Sequence, residues 1–447
     1  MQKLFSYLRA RRRRRIQPLL SNLQEFLREE GGGGILLLLA TAVALVWANS
    51  AFAHEYELLW ETPFTVGLGP WALSFPLHTW INDGLMAVFF FVVGLEIKRE
   101  LLVGELSNPR KALFPVVAAL GGMLVPALMY TVFNLGGPGQ SGWAIPMATD
   151  IAFAIGVLSL LGKRAPFGLK IFLTAVAIAD DLGAVMVIAL FYSHEIIWTN
   201  LLFGALLLAI LFAFNRLSVR NTLAYGLLGI LLWVAFLQSG VHATIAGVLL
   251  ALTIPANPRI DSRSFIKRSH SYIQVFEQAG TAETSMLTNS DQRAAVRELE
   301  RAAESVASPL QRLEHSLHPW VAYAIMPIFA LANAGVHILG SETASAFNAI
   351  SIGIVAGLVL GKQIGITLFA WLFTKLGLTA RPRGLRWRHI YGAAWLGGIG
   401  FTMSLFITSL AFTDPEAVTA AKIGILVASA LSAIGATLVL ATTPSKD

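Results

Sequence analysis

The chain has 447 residues, 55% of them hydrophobic and only 13% charged, where soluble domains carry about a quarter charged. That balance excludes an ordinary soluble domain and predicts a polytopic membrane protein. The absence of cysteine excludes disulfides, thiolate zinc sites, cysteine nucleophiles and thiolate-held iron–sulfur clusters, while the net charge of +7 has to be read from where the basic residues lie.

Apolar runs long enough for a hydrocarbon core of roughly 30 Å predict about twelve helical spans. They fall near 34 to 52, 79 to 103, 112 to 135, 142 to 161, 167 to 192, 200 to 216, 221 to 238, 241 to 255, 318 to 337, 347 to 374, 390 to 411 and 417 to 441. The chain thus divides into an Arg-rich tail (1–33), spans one to eight (34–256), a long basic loop (257–317), spans nine to twelve (318–441) and a short end (442–447). Connections 53 to 78, 136 to 141, 193 to 199, 239 to 240, 338 to 346 and 412 to 416 contain no Lys or Arg. The alternate connections hold Lys98, Arg99, Arg110, Lys111, Lys163, Arg164, Arg216, Arg220, the basic loop and Arg381, Arg383, Arg386 and Arg388. By the positive-inside rule both termini are cytoplasmic and the membrane is the cell's inner membrane.

The tail itself carries Arg9 and Arg11 to Arg15, which suit anionic headgroups better than RNA. Ala51-Phe52-Ala53 mimics a signal-peptidase site, but the basic region is too remote from the apolar run, and losing this span would spoil the charge alternation. Between spans one and two, short β-like runs on either side of Gly67, Gly69 and Pro70 predict an external hairpin over 64–75. Span two opens at Asn82-Asp83-Gly84 and ends in the charge cluster Glu96, Lys98, Arg99 and Glu100, which reads either as interfacial anchoring or as an ion-attracting, pH-sensing vestibule.

Three carboxylates lie at membrane depth. Pro146 stands four residues before Asp150 in span four, and Asp180 and Asp181 stand side by side in an otherwise apolar span five. A charge there costs from about 2.5 to over 10 kcal/mol and needs an ion, a proton or a countercharge. Span eleven carries Gly397, Gly398 and Gly400 followed by Thr402 and Ser404, so spans four and eleven both look discontinuous. They are the middle members of triplets three to five and ten to twelve, whose topology is inverted, and broken helices at matching places in two halves point to a transporter's site. In span ten Gly353, Gly357, Gly361 and Gly365 make a smooth packing face beside Lys362, and the lysine needs a countercharge from Asp150, Asp180 or Asp181. Gly361-Lys362 lacks the spacing and the Ser/Thr of a phosphate loop, so no ATP site follows. In the basic loop, Val296, Leu299, Ala303, Val306, Leu310, Leu313 and Leu317 alternate at three and four, interrupted by Pro309; this favours an interfacial amphipathic helix over a coiled coil.

Several stretches together carry a family resemblance: residues 82–101, 148–158, 178–184, 239–248, 313–323, 329–336 and 398–407. The chain resembles the NhaA-type sodium/proton antiporters over nearly all its spans, a family for which inverted repeats are an established feature. The resemblance implies an all-α polytopic transporter without cofactor, a homodimer made through the external hairpin, membrane lipids as its surroundings, and no nucleic-acid or ATP partner. It implies that Asp180 and Asp181 bind the cation (Na+ or Li+) and the proton, that Lys362 pairs with Asp180, and that Asp150 and Thr149 balance helix-end charge. It also ties Glu96, Arg99, Glu100, His242 and Glu314 to the pH response, although His242 alone reads equally as a hydrogen-bonded helix-end histidine.

Adjacent residues on a helix point about 100° apart, so one aspartate is expected to ligate the ion and its neighbour to reach Lys362. Hard cations take oxygen ligands, here carboxylates, backbone carbonyls and the hydroxyl of Thr149 or Thr402. Protons and sodium then compete for one site, which is sufficient for exchange without ATP. Two adjacent aspartates resemble the electrogenic branch of such antiporters, which implies two protons per sodium. His315 and His318 lack the spacing of a zinc protease. The alternatives are an intramembrane aspartyl protease, with Asp150 and Asp180 sharing a proton, and an uncoupled cation channel.

Overall fold

The structure is a computed structural model that describes residues 31–443 apart from 68, 70–71, 163–164, 194–195, 281–288 and 338–346. The Arg-rich tail up to residue 30, Lys163, Arg164, the 338–346 connection and residues 444–447 therefore lie outside the described residues.

Apolar composition and few helix breakers make the described chain overwhelmingly helical. In order, the helices are α1 (Gly31–Ala48), α2 (Ala53–Glu61), α3 (Met86–Leu102), α4 (Pro109–Asn134), α5 (Ile151–Leu160), α6 (Phe167–Phe191), α7 (Trp198–Arg216), α8 (Thr222–Leu237) and α9 (Thr244–Thr253). After these come α10 (Ser262–Ala279), α11 (Ser290–Val306), α12 (Pro309–Trp320), α13 (Met326–Asn333), α14 (Lys362–Lys375), α15 (Trp387–Gly397), α16 (Phe401–Ala411) and α17 (Pro415–Ala441). Wide turns extend α3, α13 and α14 towards their N-termini, so Leu77–Leu102 and Ala349–Lys375 each run as one rod. Among the described residues seven helical rods are long and apolar enough to cross a membrane, and nine are if each of two bent pairs, α1 with α2 at 115° and α15 with α16 at 44°, is one span. This is an all-α polytopic membrane protein. The difference from twelve has a physical reason: α8 has 16 residues, α9 has 10 and α13 has 8, each short alone for a hydrocarbon core of roughly 30 Å.

Local signals set several starts. Asn108 caps α4 by accepting from the Arg110 backbone N–H, with Pro109 at the first helical position, where its missing N–H costs nothing. The hairpin expected over 64–75 forms as an antiparallel pair, β1 (Pro63–Val66) and β2 (Leu73–Pro76), with Phe64 opposite Phe75.

The glycine stripe lies against α4. A Cβ added at Gly365 would come within 2.1 Å of the Gly121 carbonyl oxygen, and one at Gly361 within 2.8 Å of Pro126 Cα. Only glycine lets the two backbones approach this closely, and that approach carries the neighbouring Lys362 into the core, where it is fully buried.

The 257–317 loop differs from the single amphipathic helix expected of it. The apolar alternation is divided between α11 and α12, because Ser308 and Pro309 start a new helix: Ser308 caps it and Gln311 completes a capping box. α10 and α11 form an antiparallel hairpin, tied at one end by Gln292 Nε2 donating to the Phe276 carbonyl at 3.3 Å and at the other by Arg259 N donating to Ser305 O at 2.9 Å. Ala295 and Ala302 of α11 are buried, whereas Ala303 is exposed and α10 leaves Ile266, Ile273 and Val275 exposed.

Candidate ion-binding site

Two interrupted helices cross at the centre of the bundle. In the first, a 3-10 helix (Gln140–Met147) gives way to extended backbone at Ala148 to Asp150 before α5 begins; in the second, α15 ends at Gly397 and α16 begins at Phe401. Pro146 and the three glycines supply the breaks. The segments join at the crossing, where Asp150 N donates to Ile399 O at 2.7 Å.

Helix ends left inside a bundle carry unpaired backbone groups and partial charge, positive at the N-terminus. Asp150 meets two such ends. Its Oδ1 accepts from Phe153 N at 2.9 Å in the first turn of α5, and its Oδ2 accepts from Thr402 N at 3.1 Å in the first turn of α16. The Thr402 hydroxyl also donates to Oδ2. The Thr402 hydroxyl, expected as an alternative to that of Thr149 for a cation ligand, gives its proton to Asp150.

Thr149 serves the opposite polarity. Its hydroxyl lies 2.9 Å from the Gly397 carbonyl at the end of α15 and 2.8 Å from Asp180 Oδ2, and its single proton can serve only one of them. Lys362 Nζ donates to Thr149 Oγ1 at 3.0 Å and to Asp180 Oδ2 at 2.6 Å. The two oxygens of Asp180 therefore differ. Oδ2 is saturated, whereas Asp180 Oδ1 and Asp181 Oδ1 are buried with no hydrogen-bond partner.

Buried carboxylate oxygens without donors suit a hard cation, which brings its own charge and prefers oxygen. Among the described residues no group of three or more His, Asp and Glu side chains is placed to hold a metal ion. Asp150 and Asp180 are bonded to different partners, which is not the proton-sharing dyad of an aspartyl protease.

The structure brings together Asp180, Asp181, Lys362, Thr149 and Asp150. Glu96 lies within electrostatic reach of Asp181. One turn further along α3, Arg99 bonds Glu314 and lies 3.3 Å from Glu100. The carboxyl of Glu314, outside the spans, is pushed above the usual range by burial, with Arg99 pulling it back. His242 is not part of that cluster: its Nδ1 lies 3.8 Å from Asp83 Oδ1 and its ring meets Phe406 edge-on. Sequence reasoning missed a polar knot of His78, Asn82 and Asn333, in which Asn333 Nδ2 donates to Asn82 Oδ1 at 2.9 Å. The signal was present as two asparagines in apolar runs.

A family model described as Na+/H+ antiporter 1 matches residues 24–440. The chain belongs to that family. An Na(+)/H(+) antiporter NhaA of Oleidesulfovibrio alaskensis is 51% identical over 420 residues, covering 94% of this chain and 93% of that one. Similar proteins of the same name occur in Acidithiobacillus ferrooxidans, 50% identical over 93% of this chain and 96% of its own length, and in Koribacter versatilis, 48% identical over 95% and 92%. Members of the Na+/H+ antiporter 1 family so named are transporters and not enzymes.

Proposed function

We propose that the chain is a secondary antiporter that expels cytoplasmic sodium or lithium in exchange for protons at Asp180 and Asp181. The observation that carries this reading is Lys362 on one oxygen of Asp180 while the neighbouring carboxylate oxygens have no donor. A cation entering those oxygens competes with the ammonium and with protons for the same negative charge, so loading one releases the other. The aspartates and the lysine titrate as a coupled set. Family membership supports the same exchange.

In this reading the twelve spans of the sequence are retained with α9 and α13 as partial crossings, the two triplets around the interrupted helices are inverted repeats, and both termini are cytoplasmic. Asp150 and Thr149 hold the crossing electrically neutral. Glu96, Arg99, Glu100, Glu314 and, separately, His242 set the pH response, and the 64–75 hairpin joins two copies. Two protons per sodium would move one net charge; at roughly 150 mV that supplies about 3.5 kcal/mol, a gradient of some 300-fold.

The test is sodium-induced proton movement in everted vesicles, followed with a pH-gradient dye. Collapse of an acid-inside gradient by sodium or lithium that disappears in Asp180→Asn and Asp181→Asn is the expected result. The competition adds a signature: the sodium concentration for half response rises as pH falls. Cation flux without proton movement would mean a channel, and no response to either ion from pH 6 to 9 would end the reading.

A further inference from the structure

The polar knot of His78, Asn82 and Asn333 joins two irregular helices at the end of the bundle that carries the hairpin. Asn82 lies inside the wide turn Trp80–Leu85 of Leu77–Leu102, and Asn333 ends α13, which follows a second wide turn, Val321–Ile325. Such turns inside helices recur at functional sites. The two asparagines face one another: Asn333 Nδ2 donates to Asn82 Oδ1 at 2.9 Å, and Asn82 Nδ2 donates to Asn333 Oδ1 at 3.4 Å. His78 Nε2 lies 3.2 Å from Asn82 Nδ2, a donor, and 3.2 Å from Asn333 Oδ1, an acceptor. A ring nitrogen accepts or donates but does not do both. With a lone pair on Nε2, His78 accepts from Asn82 and closes the turn of its own helix. In the imidazolium both nitrogens carry protons, so His78 can only donate, to Asn333, and it gives Asn82 up.

The neighbouring helix supplies a second, independent property. Lys422 of α17, about 10 Å along the helix from its start at Pro415, lies within electrostatic reach of His78. Among the described residues Lys422 makes no ion pair. The other elements around His78 leave this charge unopposed. α1 and α13 carry no charged residue, and Asp83 faces His242. On α2, His54, Glu55 and Glu61 are exposed, Glu57 holds His337 at 3.0 Å, and the Tyr56 hydroxyl donates to the Leu331 carbonyl. α17 packs on Ala349–Lys375, α15 and α16, whereas Leu77–Leu102 packs on α9 and α12, so His78 and Lys422 stand on opposite sides of a boundary between two groups of helices.

We infer that His78 is a proton sensor at the hairpin end of the bundle, and that when charged it parts α17 from Leu77–Leu102. The imidazolium faces the Lys422 ammonium across the boundary, and like charges in partly buried surroundings repel far more than they do in water. At the same moment Asn82 loses its bond to the ring, so the wide turn that carries Asp83 is released. Neutral His78 removes the repulsion and closes the turn again. The cluster of Glu96, Arg99, Glu100 and Glu314 lies at the other end of the same rod, so the two ends answer to the two faces of the membrane separately. Opening at the hairpin end in acid admits protons from that face; this part of the inference rests on the exchange proposed above.

Val336 and Ile423 meet at this boundary, packed with Leu45 and Leu426, and both are buried. The chain has no cysteine, so Val336→Cys and, separately, Ile423→Cys report opening there through their rate of reaction with a maleimide, measured on the full chain in nanodiscs. Dividing each rate by the rate with His78→Gln added, at the same pH, cancels the ionisation of the thiol. Expected is a ratio that is close to unity at pH 8.5, climbs about fivefold by pH 5.5 and stays flat once Lys422→Met is added. A ratio that is flat for both cysteines without Lys422→Met, or a climb that survives Lys422→Met, would overturn the inference. Sodium efflux from right-side-out vesicles at fixed inner pH forms the second arm. His78→Gln should slow it at acid outer pH alone; slowing by one factor at every outer pH would reduce His78 to a structural residue. A parent protein that shows the climb but no sodium efflux would end the exchange reading and leave the sensor in place.

Discussion

Lys362 Nζ lies 2.6 Å from Asp180 Oδ2, and neither side chain has any exposed surface. Two charges so placed have given up water and hold one another in its stead, so the pair matters less for net stability than for what happens when half of it is removed. Lys362→Met should cost roughly 3 to 5 kcal/mol, and Lys362→Met with Asp180→Leu should recover much of that loss. Thermal unfolding of the four proteins in detergent forms the cycle; a double variant no better than the single one would mean that packing, not charge pairing, dominates here.

Asp150 accepts hydrogen bonds at the starts of both α5 and α16. Asp150→Asn removes the negative charge facing two positive helix ends, a loss of about 1 to 2 kcal/mol. Thr402→Val, which takes away a hydroxyl donating to a carboxylate, should cost about 1.5 to 3 kcal/mol. The two act on one network, so the double variant should lose less than the sum; strict additivity in melting temperature would argue that Thr402 acts elsewhere.

Glycines of this chain divide sharply by what surrounds them. Gly365→Ala pushes a Cβ to within 2.1 Å of a backbone oxygen and must force Ala349–Lys375 away from α4, whereas nothing lies within 4 Å of Gly226 on α8. Gly226→Ala should therefore stabilise by about 0.5 to 1 kcal/mol through helix propensity, while Gly365→Ala should lower both folded yield and transport. Equal behaviour of the two in a melting series would count against the close contact.

At the basic end, outside the spans, Glu314 is buried against Arg99. Burial raises its carboxyl pKa, opposed by Arg99. The folded protein then holds this proton more tightly than the unfolded chain does, so its contribution to stability is complete at acid pH and fades as pH rises through the raised value. Arg99→Gln removes the opposing cation, and the fading should move to higher pH; Glu314→Gln should abolish that part of the profile. Melting temperatures between pH 4 and 8 decide it, and a Glu314→Gln profile that follows the parent throughout would rule this group out.

Much of this was legible in the sequence because membrane depth makes polar residues conspicuous. Asp150, Asp180, Asp181 and Lys362 announce themselves in apolar runs, and Pro146 and the 397–400 glycines announce the breaks. What could not be read is which oxygen meets which donor. Adjacent aspartates are equivalent in sequence, and only the crossing gives Asp180 the lysine and Thr149 while leaving Asp181 without a donor on Oδ1. The bond from Thr402 to Asp150 could not be read for the same reason, since the two lie 252 positions apart. The 257–317 loop shows a different limit: a spacing of three and four describes an apolar stripe but not where a helix ends, and the capping box at Ser308 divides the stripe between α11 and α12.

By bonding rather than by sequence, Asp150 belongs to both interrupted helices at once. Its amide holds Ile399 and its carboxyl gathers the first turns of α5 and α16, so neither segment can slide along the other without breaking contacts on both sides of a single residue. The crossing is therefore a pinned joint, and in the exchange proposed above a movement that opens the aspartates first to one face of the membrane and then to the other would have to carry it as a single piece.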